Sequence, residues 1–385
     1  MRVLFSSTFG YGHIFPMLPL ARAFQAAGHQ VLWASSRDAC DLVRVAGIET
    51  VSAGLAGGAL REGVGAVTRA AAQVPPPERA AFVYPRMFGG VLTPPMVADL
   101  LPLARDWRPD LMIHEHGELA SPLVGAVLGV PSVTHSFGGA IPAAILDSAA
   151  EVLAPLWRDH GLDIPSYAGC FTSLYLDICP TSVQSVPMGH IQRAQVLRPV
   201  PDEAPSDAAL PDYLDSADDR PLIYVTLGTV QNHSPVLPPV VAALAALDVR
   251  LLVTVGPDGD LATLGEQPPN VRVETWVDQA QVLRHCSVVV SHAGSGTFLG
   301  ALAAGLPQLC LPQAADQFRN AAGGSRAGAA VVVPPAEITQ VAVADAVGRL
   351  LTEDSFRSGA QAVATEIRAM PAPADVVEVL AGQVG

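Results

Sequence analysis

Twice along this chain a short apolar strand runs into a glycine turn, a helix and a second strand, and this repeat constrains the fold more than any other feature. The first copy reads "RVLFSS", the turn "GYGHIF", a helix from about Pro16 to Ala27 stopped by Gly28, then the strand "QVLWAS". Strand, turn, helix, strand is a βαβ unit, and its crossover makes the two strands parallel. The rhythm returns with "PDLMIHE" (109–115), a helix over Leu119 to Leu128, and "PSVTH" (131–135). Between Gly54 and Pro95 the text reads as irregular, rich in Gly, Ala and Pro, and so long a segment inside an α/β domain points to function.

The stretch "VPDEAPSDAALPDYLDSADDRP" (200–221) is acidic, carries four prolines and lacks apolar periodicity, so it reads as a linker. Beyond it the alternation restarts with "LIYVTLG", a helix near 237–247, "RLLVTVG", "VRVETW", "SVVVSH", "PQLCLP" and "AAVVVP". A chain of 385 residues exceeds one ordinary hydrophobic core. The expected fold is therefore α/β, with two Rossmann-like, doubly wound domains facing across a cleft. The expected bounds are 1–199, a linker over 200–220, 221–370, and a closing helix within 371–385 that returns to the first domain. That helix offers Val376, Val377, Val379 and Leu380 for burial. Ligands of such sheets bind beyond the carboxyl ends of the strands.

Half of the residues are apolar, 15% are charged and the formal net charge is −14, with no block of Lys or Arg. Nucleic acid and anionic membrane surfaces are poor partners for such a chain, and small molecules suit it. Five scattered cysteines without CxxC spacing read as free thiols in a reducing compartment. The start has too few apolar residues for a signal peptide, and no apolar run reaches the length that spans a bilayer. A cytoplasmic protein without membrane insertion is expected.

"GYGHIF" falls short of the dinucleotide motif, because Phe15 stands where the third glycine belongs and "QVLWASS" ends in serines rather than an acid. What remains is a tight turn presenting His13 at a helix start. In "SHAGSGTFLG", Gly294 and Gly296 let backbone approach a ligand, and the helix beginning near Thr297 points free N–H groups outward. With the helix dipole this makes a phosphate site needing no metal, to which His292, Ser295 and Thr297 add donors. The plainer alternative is a strand-to-helix turn with a buried histidine. Trp276 can stack a base, Asp316 and Gln317 at the end of the following strand can pair with sugar hydroxyls, and the "TLGT" turn brings Thr229 to the same side.

The stretch from Trp276 to Gln317 resembles the signature of GT-B-fold, nucleotide-sugar-dependent glycosyltransferases that decorate natural products. "GYGHIFPMLPLARAFQAAGH" resembles their N-terminal strand, loop and helix, and "MPAPADVVEVL" their closing segment. The resemblance implies that Trp276 stacks on the nucleobase and His292 binds the pyrophosphate. It implies further that Gly294, Ser295, Gly296, Thr297 and Thr229 surround the phosphates, with Gly12 and Val277 also on the donor side, and that Asp316 and Gln317 contact the sugar. Relatives using UDP-sugars carry a Glu that binds both ribose hydroxyls, and Gly300 stands at that position here. A dTDP donor has no 2′-hydroxyl and loses least by the change.

Transfer to a hydroxyl needs a base, and imidazole titrates near neutrality, which suits His13. Glu115, ending "DLMIHE", matches the acidic position with which relatives support their histidine. His114 and His116 should point away from it, because side chains alternate along a strand. His135 is expected in packing or on backbone, and His160, His190 and His233 in solvent. "PDGD" (257–260) imitates a metal-binding Asp-x-Asp but reads as a turn.

The resulting expectation is an inverting, metal-independent glycosyltransferase with no cofactor beyond its nucleotide-sugar co-substrate, dTDP-linked. It would move a sugar to a hydroxyl of a small aromatic or polyketide-like aglycone. Phe82, Tyr84, Met87, Phe88, Phe137 and Tyr167 are candidate liners of the acceptor site, with ordinary core as the alternative. A nucleotide-sugar epimerase, a transferase acting on a lipid-linked acceptor and a silent nucleotide-binding protein share the fold. Self-association into a homodimer is left open.

Overall fold

Each half builds a parallel sheet, as the βαβ rhythm requires. The computed structural model describes residues 1–75, 78–200, 212–215, 218–228, 235–256 and 259–384. Most of the linker therefore lies outside the described residues, as do Thr229, His233 and the first half of "PDGD". The chain divides into one unit of Met1–Cys179, Val186–Arg198 and Met370–Gly385, and another of Pro180–Ser185 and Pro199–Ala369.

In the first unit the elements run β1 (Arg2–Ser6), α1 (Tyr11–Ile14), α2 (Leu18–Ala26), β2 (Gln30–Ser35), α3 (Arg37–Val45), β3 (Glu49–Ser52), α4 (Gly57–Ala71), α5 (Arg79–Tyr84), α6 (Thr93–Trp107), β4 (Leu111–Glu115), α7 (Ala120–Leu128), β5 (Ser132–His135), α8 (Ala143–Asp159), β6 (Leu174–Asp177) and β7 (Ala194–Val196). Among the described residues its strands lie in the order β3-β2-β1-β4-β5-β6-β7, all parallel. β1 thus sits between β2 and β4, and the connections leave it on opposite sides. That switch point is where a doubly wound sheet opens a crevice beyond its strand ends. Phe5 of β1 is buried, stacked 5.4 Å from Trp33 and edge-on to Phe24 at 6.0 Å, which locks the first βαβ unit together.

Two local expectations change. The first helix does not begin at Pro16: α1 ends at Ile14, a 3-10 turn covers Phe15–Met17, and α2 follows. Pro16 and Pro19 lack an N–H and sit in first turns, where none is needed, so they divide the helix rather than start it. His13 is left on a one-turn helix of its own. The segment from Gly54 to Pro95 is largely helical, not irregular. Its alanines favour helix, Pro94 lies in the first turn of α6, and a π-helical stretch, Pro85–Leu92, joins α5 to α6. The run Arg79–Trp107 is long and apolar enough to pass as a membrane span, yet Tyr84, Leu92, Met96, Val97, Leu100 and Ala104 are buried in the core.

The second unit runs β8 (Leu222–Thr226), α9 (Leu237–Ala245), β9 (Arg250–Thr254), β10 (Val271–Glu274), α10 (Gln279–Leu283), β11 (Val288–Ser291), α11 (Ser295–Ala303), β12 (Gln308–Cys310), α12 (Gln317–Arg326), β13 (Ala330–Val332), α13 (Gln340–Thr352) and α14 (Asp354–Ala369). Its order β10-β9-β8-β11-β12-β13 places the switch between β8 and β11. Residues 180–185 join this unit: Gly323 of α12 lies against the Val183 carbonyl, closer than any Cβ would allow, and Arg326 donates to the Gln184 carbonyl. The last helix, α15 (Pro373–Val384), packs on α2 of the first unit. It buries Val376, Val377 and Leu380, whereas Val379 faces solvent.

Candidate active site

His13 and Glu115 reach the switch point of the first sheet from its two sides, one following β1 and the other ending β4. Nδ1 of His13 stands 3.1 Å from Oε2 of Glu115, with the imidazole 23% exposed and the carboxylate wholly buried. The other oxygen accepts from the Thr8 backbone N–H at 3.0 Å and the Thr8 hydroxyl at 2.7 Å, and Oε2 also accepts from the Gly117 N–H. Burial alone would raise the Glu115 pKa. The attraction and hydrogen bond of His13, with the donors of Thr8, overturn that and hold it at about 2. The carboxylate is therefore ionised and fixed, and it stabilises a proton arriving on His13.

Thr8 and Gly117, which hold the Glu115 carboxylate, are site residues that the sequence reading missed. Gly117 has a specific reason to be glycine: a Cβ there would lie 2.7 Å from the Phe88 ring and 3.2 Å from Oε2 of Glu115. Phe88 and Phe137 pack on the His13 ring, at 5.6 and 4.8 Å. Phe88 is brought there by the π-helical stretch, in which its carbonyl accepts from both the backbone and the hydroxyl of Thr93. Of the other candidate acceptor residues, Tyr84 is core: it is buried and its hydroxyl donates to the His116 carbonyl at 2.5 Å. Phe82 lies under the Arg86 guanidinium, Tyr167 packs on Phe171 and His190, and Met87 is half-buried.

The remaining histidines are mostly structural. His114 turns from the dyad, its Nδ1 2.6 Å from the Glu118 carbonyl and its Nε2 3.0 Å from the Thr134 hydroxyl. His135 bonds the Ser136 carbonyl. His116 stacks on Tyr175 at 5.1 Å, and neither of its ring nitrogens has a partner among the described residues. Burial pushes His116 down to about 3 and His135 to about 4, so both are neutral. His190 is half-buried between Tyr167 and Phe171 rather than solvated, because flanking aromatics cover it.

A shallow pocket with room for little more than a water molecule lies in the same unit. Thr8 and Gly117 line one end, and Leu55, Leu60, Leu92 and Met96 supply apolar walls. Ser36 also lines it. This serine occupies the N-cap of α3, yet its side chain caps nothing and its hydroxyl is buried without a partner among the described residues. A working N-cap is worth about 1 kcal/mol, and an unmade buried hydrogen bond costs about 1–3 kcal/mol. Nothing in the sequence marked Ser36 beyond its place before a helix.

In the second unit the same topology recurs. His292 follows β11, and Gly228 follows β8 beside it. The glycines serve His292 first: a Cβ on Gly228 would lie 2.7 Å from its ring, and one on Gly294 only 2.4 Å from Nε2. Gly294 therefore makes room for an imidazole, whereas Gly296 faces open space. Burial depresses His292 to about 4 against the pull of Asp316, and its Nδ1 is buried without a partner among the described residues. Gly294, the N-cap of α11, has no side chain with which to cap it, so among the described residues the N-cap leaves the first N–H groups unclaimed.

Asp316 and Gln317 lie not at the end of β12 but at the N-cap and first residue of α12, after a loop from Leu311. Ser295 donates to Asp316 at 2.6 Å, and Asn320, one helical turn on, donates to Ser295, Asp316 and the Ala293 carbonyl, each at 3.0 Å. The Asp316–Asn320 spacing of four was the available signal for Asn320. Gln317 is buried, its carbonyl accepting from the N–H groups of Gln313 and Ala314. Thr297 donates to Gln279 at 3.0 Å rather than standing free. Trp276 lies beyond β10 in a loop, half-exposed at 51%, while Val277 beside it is core. Gly12, on α1, has open space around it. Among the described residues no group of three or more His, Cys, Asp or Glu could hold a metal ion.

Comparison with known proteins gives one consistent result. Residues 22–228 match the N-terminal domain of erythromycin biosynthesis protein CIII-like proteins, and residues 239–382 match their C-terminal domain. Elloramycin glycosyltransferase ElmGT of Streptomyces olivaceus is 35% identical, over 98% of this chain and 96% of its own. L-demethylnoviosyl transferase of Streptomyces niveus is 34% identical, over 100% and 98%. The crystal structure of glycosyltransferase VinC in complex with dTDP superposes with a TM-score of 0.83 at 27% identity, covering 100% of this chain and 99% of that one.

Proposed function

The chain belongs to the erythromycin biosynthesis protein CIII-like family of GT-B glycosyltransferases, and from that premise we propose that it transfers a sugar from dTDP to a hydroxyl of an aromatic or polyketide-like aglycone, with inversion and without a metal. The observation that carries the reading is the buried, ionised Glu115 held 3.1 Å from the partly exposed His13.

His13 takes the proton of the acceptor hydroxyl as its oxygen attacks the anomeric carbon. The bond from that carbon to the diphosphate breaks, and dTDP leaves with the electron pair. Glu115 stabilises the imidazolium that forms, as the carboxylate does behind the histidine of a hydrolase triad. A single displacement from the face opposite the diphosphate inverts the anomeric centre. Phe88 and Phe137 pack on His13 and orient its ring, and the acceptor's aromatic surface meets Phe82, Met87 and Tyr167.

On the donor side the start of α11, the turn of Gly294 to Thr297 and the Nδ1 of His292, unpartnered among the described residues, receive the diphosphate, and Thr229, outside the described residues, is a further candidate donor. Those N–H groups neutralise the leaving charge, so no metal is required. Trp276 stacks on the thymine. Asp316, braced by Ser295 and Asn320, accepts from sugar hydroxyls, with the Gln317 amide alongside. Gly300 leaves no carboxylate for a ribose 2′-hydroxyl, which favours the deoxyribose of dTDP, the nucleotide bound in the VinC structure.

Calorimetric titration with dTDP and UDP in EDTA tests the donor: dTDP should bind more tightly, indifferent to chelation. Tighter UDP binding overturns the donor assignment. Donor turnover without any acceptor would mean epimerisation or hydrolysis instead of transfer. Anomeric coupling in the product's NMR spectrum decides inversion.

A further inference from the structure

We propose that Tyr84 and His116 are positioning residues that close a collar of side chains around His13 and hold its ring toward Glu115. His13 as a base rests on the transfer reading above, whereas the collar and its grip on the imidazole do not. The collar can be followed contact by contact within the first unit. Centroid to centroid, the His13 ring lies 4.8 Å from Phe137, and Phe137 lies 5.4 Å, edge-on, from His116. The His116 carbonyl accepts from the Tyr84 hydroxyl at 2.5 Å, the Tyr84 ring packs on Phe88 at 5.0 Å, and Phe88 returns to His13 at 5.6 Å.

His116 anchors this circuit. Its ring is stacked on Tyr175 with 11° between the planes, and it stands between Glu115 and Gly117, whose N–H holds Oε2 of that carboxylate. One residue thus steadies the backbone that carries the acid and, through Phe137, the ring that faces it. The His116 imidazole serves by its faces alone: burial keeps it neutral, and neither nitrogen has a partner among the described residues. A phenyl ring should serve as well. Displacing a group at the reacting centre by about 1 Å can cost about 100-fold in rate, which gives the collar its consequence for transfer.

The test is the titration of His13 in the full chain without substrate, followed by NMR of isotope-labelled histidine and assigned by its absence from His13→Ala. A carboxylate in contact favours the imidazolium, so a loosened ring titrates at lower pH. Glu115 stays ionised while Tyr84 and His116 stay neutral near neutral pH, so neither substitution alters a charge beside His13. Tyr84→Phe, which deletes only the hydroxyl, and His116→Ala should each move the His13 midpoint down. His116→Phe should return it to the wild-type position. Val97→Ala, a buried truncation outside the collar, should lower the melting temperature and leave the midpoint in place. A midpoint unmoved in Tyr84→Phe or in His116→Ala, no return in His116→Phe, or an equal fall in Val97→Ala overturns the proposal. Sugar transfer at the wild-type rate by His13→Ala would overturn the transfer role of His13 and leave the collar standing.

Discussion

Nδ1 of His13 and Oε2 of Glu115 stand 3.1 Å apart, the imidazole reaching solvent and the carboxylate sealed from it. The asymmetry fits the proposed roles, since the exposed partner is the one that can meet a substrate. His13→Ala should lower kcat by roughly 10²–10⁴-fold, the usual worth of a positioned base, with dTDP affinity unchanged. Transfer at the wild-type rate by a folded His13→Ala protein would remove His13 from the base role.

Glu115→Gln keeps an acceptor for Thr8 and removes the charge that steadies His13. Because the folded pKa is depressed to about 2, the carboxylate contributes stability above its ordinary value near 4.5, and the contribution is lost as pH falls towards 2. The full shift corresponds to about 3 kcal/mol. Chemical denaturation should show Glu115→Gln less stable than the wild type at pH 7, with the gap closing below pH 4. A gap that is constant with pH would mean that the charge contributes nothing and only shape was lost.

The strands that carry this dyad were legible because "RVLFSS" and "DLMIHE" are continuous apolar runs, as buried parallel strands must be. The switch-point rule then put His13 and Glu115 on one edge. The glycine turn between β11 and α11 was legible for the same reason, but not its internal wiring. From sequence, Gly294 looked like space for a ligand, whereas it is space for the His292 ring. Asp316 and Gln317 looked like a strand end, whereas β12 stops at Cys310 and the pair opens α12. Strand ends are poorly marked when, as in "CLPQAADQ", apolar residues and Pro continue past the last ladder bond. Thr8 and Gly117 hold Glu115 through backbone N–H groups, which residue type alone does not announce. Among the prolines that hid the helices in Gly54–Pro95, Pro85, Pro94 and Pro95 sit in first turns, where they do no harm.

The two glycines of the α11 turn should separate on mutation. A methyl at Gly294 would press within 2.4 Å of His292 Nε2, so Gly294→Ala should lose roughly 1–3 kcal/mol of stability and shift the imidazole. Gly296 has no atom within 4 Å of its Cβ direction and lies inside the helix. Gly296→Ala should hold or raise the melting temperature, by up to about 1 kcal/mol in stability, and weaken dTDP binding because the methyl occupies the phosphate approach. If Gly296→Ala binds dTDP as well as the wild type does, the diphosphate does not lie over this turn.

The neutral histidines beside the dyad should add to the protein's sensitivity to acid. His116 and His135 are held near 3 and 4 by burial, while in the unfolded chain they titrate near 6.5. Between those values the unfolded state binds more protons, so stability is present above pH 6.5 and falls as pH drops through the gap. Each group contributes a slope of up to about 1.4 kcal/mol per pH unit. His116→Phe keeps the stack on Tyr175 and removes two unpartnered nitrogens. Melting curves from pH 7 to pH 4.5 should therefore show a shallower loss of stability in His116→Phe, starting from a value at pH 7 no lower than the wild type's. An unchanged slope would mean that His116 is already protonated or bonded in the native state, and that burial does not govern its titration.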